Sequence, residues 1–106
     1  MNIEILEIAQ KEMDDAVLYY EVEQPGLGSR FKEAVRQSIN RIKKYPTSWP
    51  IESGEVRQFF VHKFPYKILY SIQEQKIVIL AVAHQHRKPG YWIERLEKDG
   101  ARCVKV

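Results

Sequence analysis

The chain predicts an α+β domain, a helix pair laid on one face of an antiparallel sheet. Three observations predict it. Apolar residues recur at helical spacing from Ala9 to Ile42, strand-like runs follow from residue 55 to residue 83, and a short alternating segment precedes both.

Taken in order, Ile3 and Ile5 alternate with Asn2 and Glu4, which predicts an opening strand over 2–7. Ala9, Met13, Ala16, Val17 and Tyr20 then form one face of a helix, with Lys11, Glu12, Asp14 and Asp15 on the other, and the pattern stops before Pro25. Gln24-Pro25-Gly26-Leu27-Gly28 breaks the chain. Leu27, Phe31, Val35, Ile39 and Ile42 form the next stripe, opposite Arg30, Lys32, Glu33, Arg36 and Lys43, and Tyr45-Pro46 ends it. The short turn makes the two helices an antiparallel hairpin. Past Pro50, strands are predicted over 55–62, 66–73 and 76–83, joined as a meander by Phe64-Pro65 and by Gln73-Glu74-Gln75. Pro89-Gly90 closes the last strand and 91–96 reads as a short helix.

A length of 106 residues suits a single domain, 1–106, with its core over about 2–96 and 97–106 as a flexible tail. No apolar stretch approaches the roughly 18 residues of a membrane helix, and MNIEILEIAQKE is acidic where a secretion signal is basic and then greasy. A cytoplasmic protein with no membrane contact is the expectation. Cys103 is the only cysteine, so no internal disulfide forms. His84 and His86 fall on the same side of a strand, but no third ligand accompanies them, and neither a metal nor another cofactor is expected.

The net charge of +3 conceals segregation. Residues 1–29 carry −6, residues 30–50 carry +5 and residues 57–91 carry +5. Ion pairing between the acidic first helix and the basic second accounts for the first two blocks. The third coincides with aromatics and strand ends.

Two segments in that third block carry candidate chemistry. The run from Ile77 to Ala83 is wholly apolar, as in a strand buried on both faces, and it ends in His84, His86, Arg87, Lys88, Tyr91 and Trp92. Upstream, Arg57, Lys63, Tyr66 and Lys67 are interleaved with Phe59, Phe64 and Tyr70, a basic and aromatic hairpin suited to phosphates and bases or to an acidic protein. For metal-free RNA cleavage, His84 offers an acid or base, Arg87 a planar fork for phosphate, and Tyr91 a proton donor or a stacking ring.

Several features in this order and spacing resemble the RelE/ParE superfamily of toxins from type II toxin–antitoxin (plasmid stabilisation) modules. They are Tyr19-Tyr20-Glu21, Pro25-Gly26-Leu27-Gly28 before Phe31, Trp49-Pro50, Phe64-Pro65-Tyr66 leading to Ile68 and Tyr70, and Ala81-Val82-Ala83-His84 followed by Arg87, Pro89, Tyr91 and Trp92. The resemblance covers about residues 3–95 and implies the same α+β fold. It also implies growth inhibition and a cognate antitoxin, laying an acidic and apolar segment over the toxin.

Two activities occur in the superfamily. ParE-like members poison DNA gyrase; RelE-like members cleave messenger RNA, commonly at the ribosome. The Tyr-Tyr-Glu helix, the Pro-Gly-Leu-Gly turn and the Phe-Pro-Tyr hairpin look closer to the ParE branch, so gyrase is the expected target. The alternative is a metal-independent endonuclease using His84, Arg87 and Tyr91, with Arg57 as a further positional match; a third reading is a degenerate toxin that only binds its antitoxin. In any of these, Arg57, Lys63, Tyr66, Lys67, Arg87 and Trp92 are the expected nucleic-acid or partner contacts.

Overall fold

A strand as apolar as Ile77–Ala83 needs neighbours on both edges and cover on both faces, because its backbone groups and its side chains alike must leave water. The computed structural model describes residues 1–97 and 103–105. Its elements are β1 (Asn2–Leu6), α1 (Glu7–Glu23), α2 (Leu27–Lys44), β2 (Ile51–Ser53), β3 (Val56–Phe60), β4 (Tyr66–Gln73), β5 (Lys76–His84), α3 (Glu94–Glu97) and β6 (Cys103–Lys105). They form one sheet in the order β2-β3-β4-β5-β1-β6. β5 lies inside it, antiparallel to β4 and parallel to β1, with Ile3 opposite Ile77 and Ile5 opposite Ile79. Every residue from Ile77 to Ala83 is buried.

The expected helix hairpin and meander are present, and the sheet is larger than the sequence predicted. Ile51–Ser53 adds a short edge strand to β3. Cys103–Lys105, expected to belong to a flexible tail over 97–106, instead pairs antiparallel with β1, with Val104 opposite Ile5. The outer edge of β1 is otherwise a row of unpaired backbone groups, which a short strand from the C-terminal side satisfies. The rest of that expectation, 98–102 and 106, lies outside the described residues.

The turn between the helices shows why its glycines are where they are. Gly26 sits at φ +88°, where a side chain is strained. A Cβ on Gly28 would stand 2.5 Å from the Val17 carbonyl oxygen, so α1 and α2 can cross this closely only over a glycine. Glu21 reaches across the same turn, accepting from the Gly26 N–H at 2.9 Å and the Gly28 N–H at 3.1 Å. The carboxylate satisfies N–H groups that open α2 and suits the positive end of its dipole. Gly28→Ala is therefore expected to destabilise the fold by about 1–3 kcal/mol, the usual cost of forcing an extra carbon into a packed contact. Urea melts of the two proteins check it; an unchanged midpoint would show that the helices separate freely.

The expected ion pairs between α1 and α2 are not found among the described residues. Lys11 pairs with Asp15 inside α1, and Arg36 with Glu33 inside α2. What joins the helices to the sheet is aromatic. Phe31, fully buried, has its ring centroid 5.1 Å from Tyr20, 5.1 Å from Phe64 and 4.9 Å from Tyr66. At the other end of α2 the buried Tyr70 hydroxyl donates to the Pro46 carbonyl at 2.7 Å, and burial pushes its pKa up to about 12.

Candidate functional site

The parallel ladder between β1 and β5 ends at Ile79, while β5 continues to His84. The last residues of the strand would thus offer an unpaired edge in the middle of the molecule. Side chains close it. Glu12 of α1 accepts from the Val82 N–H at 3.1 Å, and Arg95 of α3 donates to the Leu80 carbonyl at 2.8 Å. The same two side chains face each other in a two-pronged pair, at 2.8 Å and 3.1 Å, and the Tyr91 hydroxyl donates to the second Glu12 oxygen at 2.7 Å. One carboxylate thereby holds the first helix, the sheet and the C-terminal segment together. Periodicity assigns Glu12 to the solvated side of its helix; in the folded chain its side chain is only 17% exposed and turned to β5. A carboxylate beside an arginine and a strand edge is stable there, which helical spacing alone does not register.

This clasp floors a cleft of roughly 280 Å³ between α1 and the exit of β5. Asp15 and Tyr19 of α1 form one wall, and Tyr66, His84 and Arg87 form the other. Tyr66 and His84 stand side by side on β4 and β5, ring centroids 5.5 Å apart. The His84 Nδ1 accepts the His86 backbone N–H at 3.1 Å, so the neutral ring carries its proton on Nε2. The Arg87 guanidinium lies 4.1 Å from the centre of the Tyr91 ring, with Arg95 4.9 Å from the same centre. Burial raises the Tyr91 pKa well above the ordinary phenol value, and the hydrogen bond to Glu12 raises it further.

His84, Arg87 and Tyr91 are thus brought to one end of the sheet, as the sequence suggested, but in unequal states. Arg87 is exposed and stacked, His84 is exposed with one nitrogen engaged, and the Tyr91 hydroxyl is committed to Glu12. The remaining expected contacts scatter. Lys67 is drawn into an ion pair with Glu52 at 2.8 Å, both largely shielded from solvent. Arg57, opposite Tyr70 on the ladder, donates to the Trp49 carbonyl at 2.7 Å. Tyr66 is half-buried, Lys63 stands exposed in the β3–β4 turn at φ +68°, and Trp92, at 3% exposure, belongs to the core. The basic hairpin is therefore largely satisfied from within. Among the described residues no three His, Cys, Asp or Glu side chains stand together as a metal site would require, and no helix is long and apolar enough to cross a membrane.

Glu12, Asp15, Tyr19 and Arg95 complete the site, and none of them stands out in the sequence as part of it. Their partners lie up to 83 positions away, beyond the reach of periodicity.

Comparison with known proteins agrees with this architecture. The chain is similar in fold to a chain of the chromosomal ParDE toxin–antitoxin system from P. aeruginosa, with a TM-score of 0.62 at 18% identity, covering 79% of this chain and 95% of that one. No curated protein sequence matches it. The profile of the family described as ParE toxin of type II toxin–antitoxin systems, parDE, matches residues 3–89, a span that takes in the helix hairpin, the meander and the exit of β5. On that match, the chain belongs to the ParE toxin family of type II toxin–antitoxin systems.

Proposed function

We propose that this toxin acts by binding, inhibiting DNA gyrase in the cytoplasm, and that a cognate antitoxin holds it in check. The observation that carries the reading is the company His84 and Arg87 keep. Glu12 and Asp15 line the same cleft, and two carboxylates beside the candidate base and fork repel the phosphate that RNA cleavage would place there. Tyr91, the candidate proton donor, is held by Glu12 as a spacer between two guanidinium groups. A stacked, exposed arginine beside Tyr19, which is 59% exposed, is better suited to a protein surface than to proton transfer. Family membership favours the same conclusion, since the ParE branch of the superfamily is the one expected to poison gyrase.

Purified protein tested against gyrase supercoiling and against messenger RNA decides between the activities. Loss of supercoiling with intact RNA is the expected result, and RNA cutting with unaffected gyrase would replace the proposal with the endonuclease reading. Within this scheme, Arg87→Ala is expected to weaken gyrase inhibition at least about tenfold while shifting stability by no more than about 0.5 kcal/mol, as for other surface positions. Inhibition titrations and thermal melts read the two effects separately; a fully active Arg87→Ala protein would move the site elsewhere.

A further inference from the structure

On the other side of the helix pair, α2 and β3 diverge and leave two adjoining clefts of about 530 and 500 Å³ that share Ala34, Gln37, His62 and Lys63. Together they form one groove, running from the start of α2 to Trp49. Its floor is apolar and aromatic, with Phe59 packed edge-on against Trp49 at 4.6 Å. Its rim is cationic. Arg30, Arg41 and Lys63 line it, and none of the three has a carboxylate partner among the described residues, while Glu33, the carboxylate at the rim, is taken by Arg36.

The edge of the sheet beside this groove is open. β2 pairs with β3 only through Val56 and Arg57, with one further bond from the Gln58 N–H to the Pro50 carbonyl. The Val61 N–H bonds to the Tyr66 carbonyl on the β4 side. Antiparallel alternation then turns the N–H and C=O of Phe60 away from β4, past the end of β2, where no described strand meets them. The Phe60 side chain is itself 54% exposed. The Trp49 indole N–H, buried in the wall of the same groove, has no acceptor among the described residues.

We infer that the groove between α2 and β3 is a docking site for an extended acidic and apolar segment of the antitoxin, bound alongside β3 at Phe60 with its carboxylates against Arg30, Arg41 and Lys63. The inference rests on the toxin reading only in taking the antitoxin as the partner. Unpaired cations call for acidic residues, the aromatic floor for apolar ones, and the open backbone at Phe60 for a polypeptide in strand conformation. A nucleic acid would answer the charges but has no peptide backbone to meet that edge.

Hydrogen–deuterium exchange on the full-length protein, alone and saturated with the purified antitoxin of its module, tests this. The Phe60 amide is expected to exchange readily in the free protein and at least about tenfold more slowly in the complex. Arg30→Glu and Arg41→Glu, confirmed as folded by thermal melts, are each expected to weaken antitoxin binding about tenfold or more. Protection confined to the exposed Leu18–Val22 face of α1 or to the His84 cleft would overturn the inference, as would charge reversals with no effect on affinity. Protection of Phe60 by single-stranded RNA and not by the antitoxin would overturn it equally. Wild-type protein that spares gyrase yet shows the expected exchange pattern would end the gyrase reading and support the groove; the converse result would remove the groove alone.

Discussion

Replacing Glu12 with alanine is expected to destabilise the fold by about 3–5 kcal/mol, the range for removing one partner of a buried ion pair. The pair is well shielded, with side-chain exposures of 17% for Glu12 and 11% for Arg95. The loss extends beyond the pair: the Val82 N–H loses its acceptor, as does the Tyr91 hydroxyl, and Arg95 is left with its charge and only the Leu80 carbonyl. Chemical denaturation of Glu12→Ala, Arg95→Met and the double variant measures the coupling. The double variant should be less destabilised than the sum of the singles by about 1 kcal/mol or more, because an apolar side chain in place of the guanidinium no longer needs the carboxylate. Strict additivity would mean that Glu12 and Arg95 act independently and that the clasp is not a unit. Arg87 rests on the Tyr91 ring that Glu12 holds, so a stable Glu12 variant would also be expected to lose inhibition.

Phe31→Ala is the second large effect, at about 3–5 kcal/mol. Phe31 is fully buried and shared among Tyr20, Phe64 and Tyr66, so its removal leaves a cavity where the helix hairpin meets the β3–β4 turn. Leu18→Ala provides the contrast: Leu18 is 64% exposed and should cost no more than about 0.5 kcal/mol. Urea midpoints of the two variants settle the comparison. A Phe31→Ala protein as stable as the parent would mean that the aromatic cluster contributes little to holding the helices on the sheet.

The contrast between Phe31 and Leu18 also shows where the sequence is legible. Phe31 sits in a clean stripe, Leu27-Phe31-Val35-Ile39-Ile42, with cations opposite, and every member from Phe31 onward is buried. The first helix has apolar residues around much of its circumference, and Ile8, Leu18, Tyr19 and Val22 all remain exposed. Periodicity therefore places the second helix more surely than the face of the first. It misplaces Glu12 for the same reason, since a helical pattern separates polar from apolar but does not identify a carboxylate whose partners lie on a distant strand and in the C-terminal segment. The hairpin chemistry of Phe64-Pro65 and Gln73-Glu74-Gln75 marks the meander, because turn residues act locally; β2 and β6 escape notice because three-residue strands exist only through the neighbour they pair with.

By itself the sequence determined the α+β class, the helix hairpin with its glycine turn, the three long strands and the burial of Ile77–Ala83. All of these follow from local conformational preference and from hydrophobic spacing, which the chain carries wherever it goes. The tertiary structure alone decided which of the basic and aromatic residues remain available. Lys67 and Arg57 are taken by Glu52 and the Trp49 carbonyl, Trp92 is taken by the core, and Tyr91 is taken by Glu12. Arg87, His84 and the rim of the α2–β3 groove are what is left. A charged side chain is free or engaged according to what the fold brings within a few ångströms of it, and that proximity joins residues far apart in the chain.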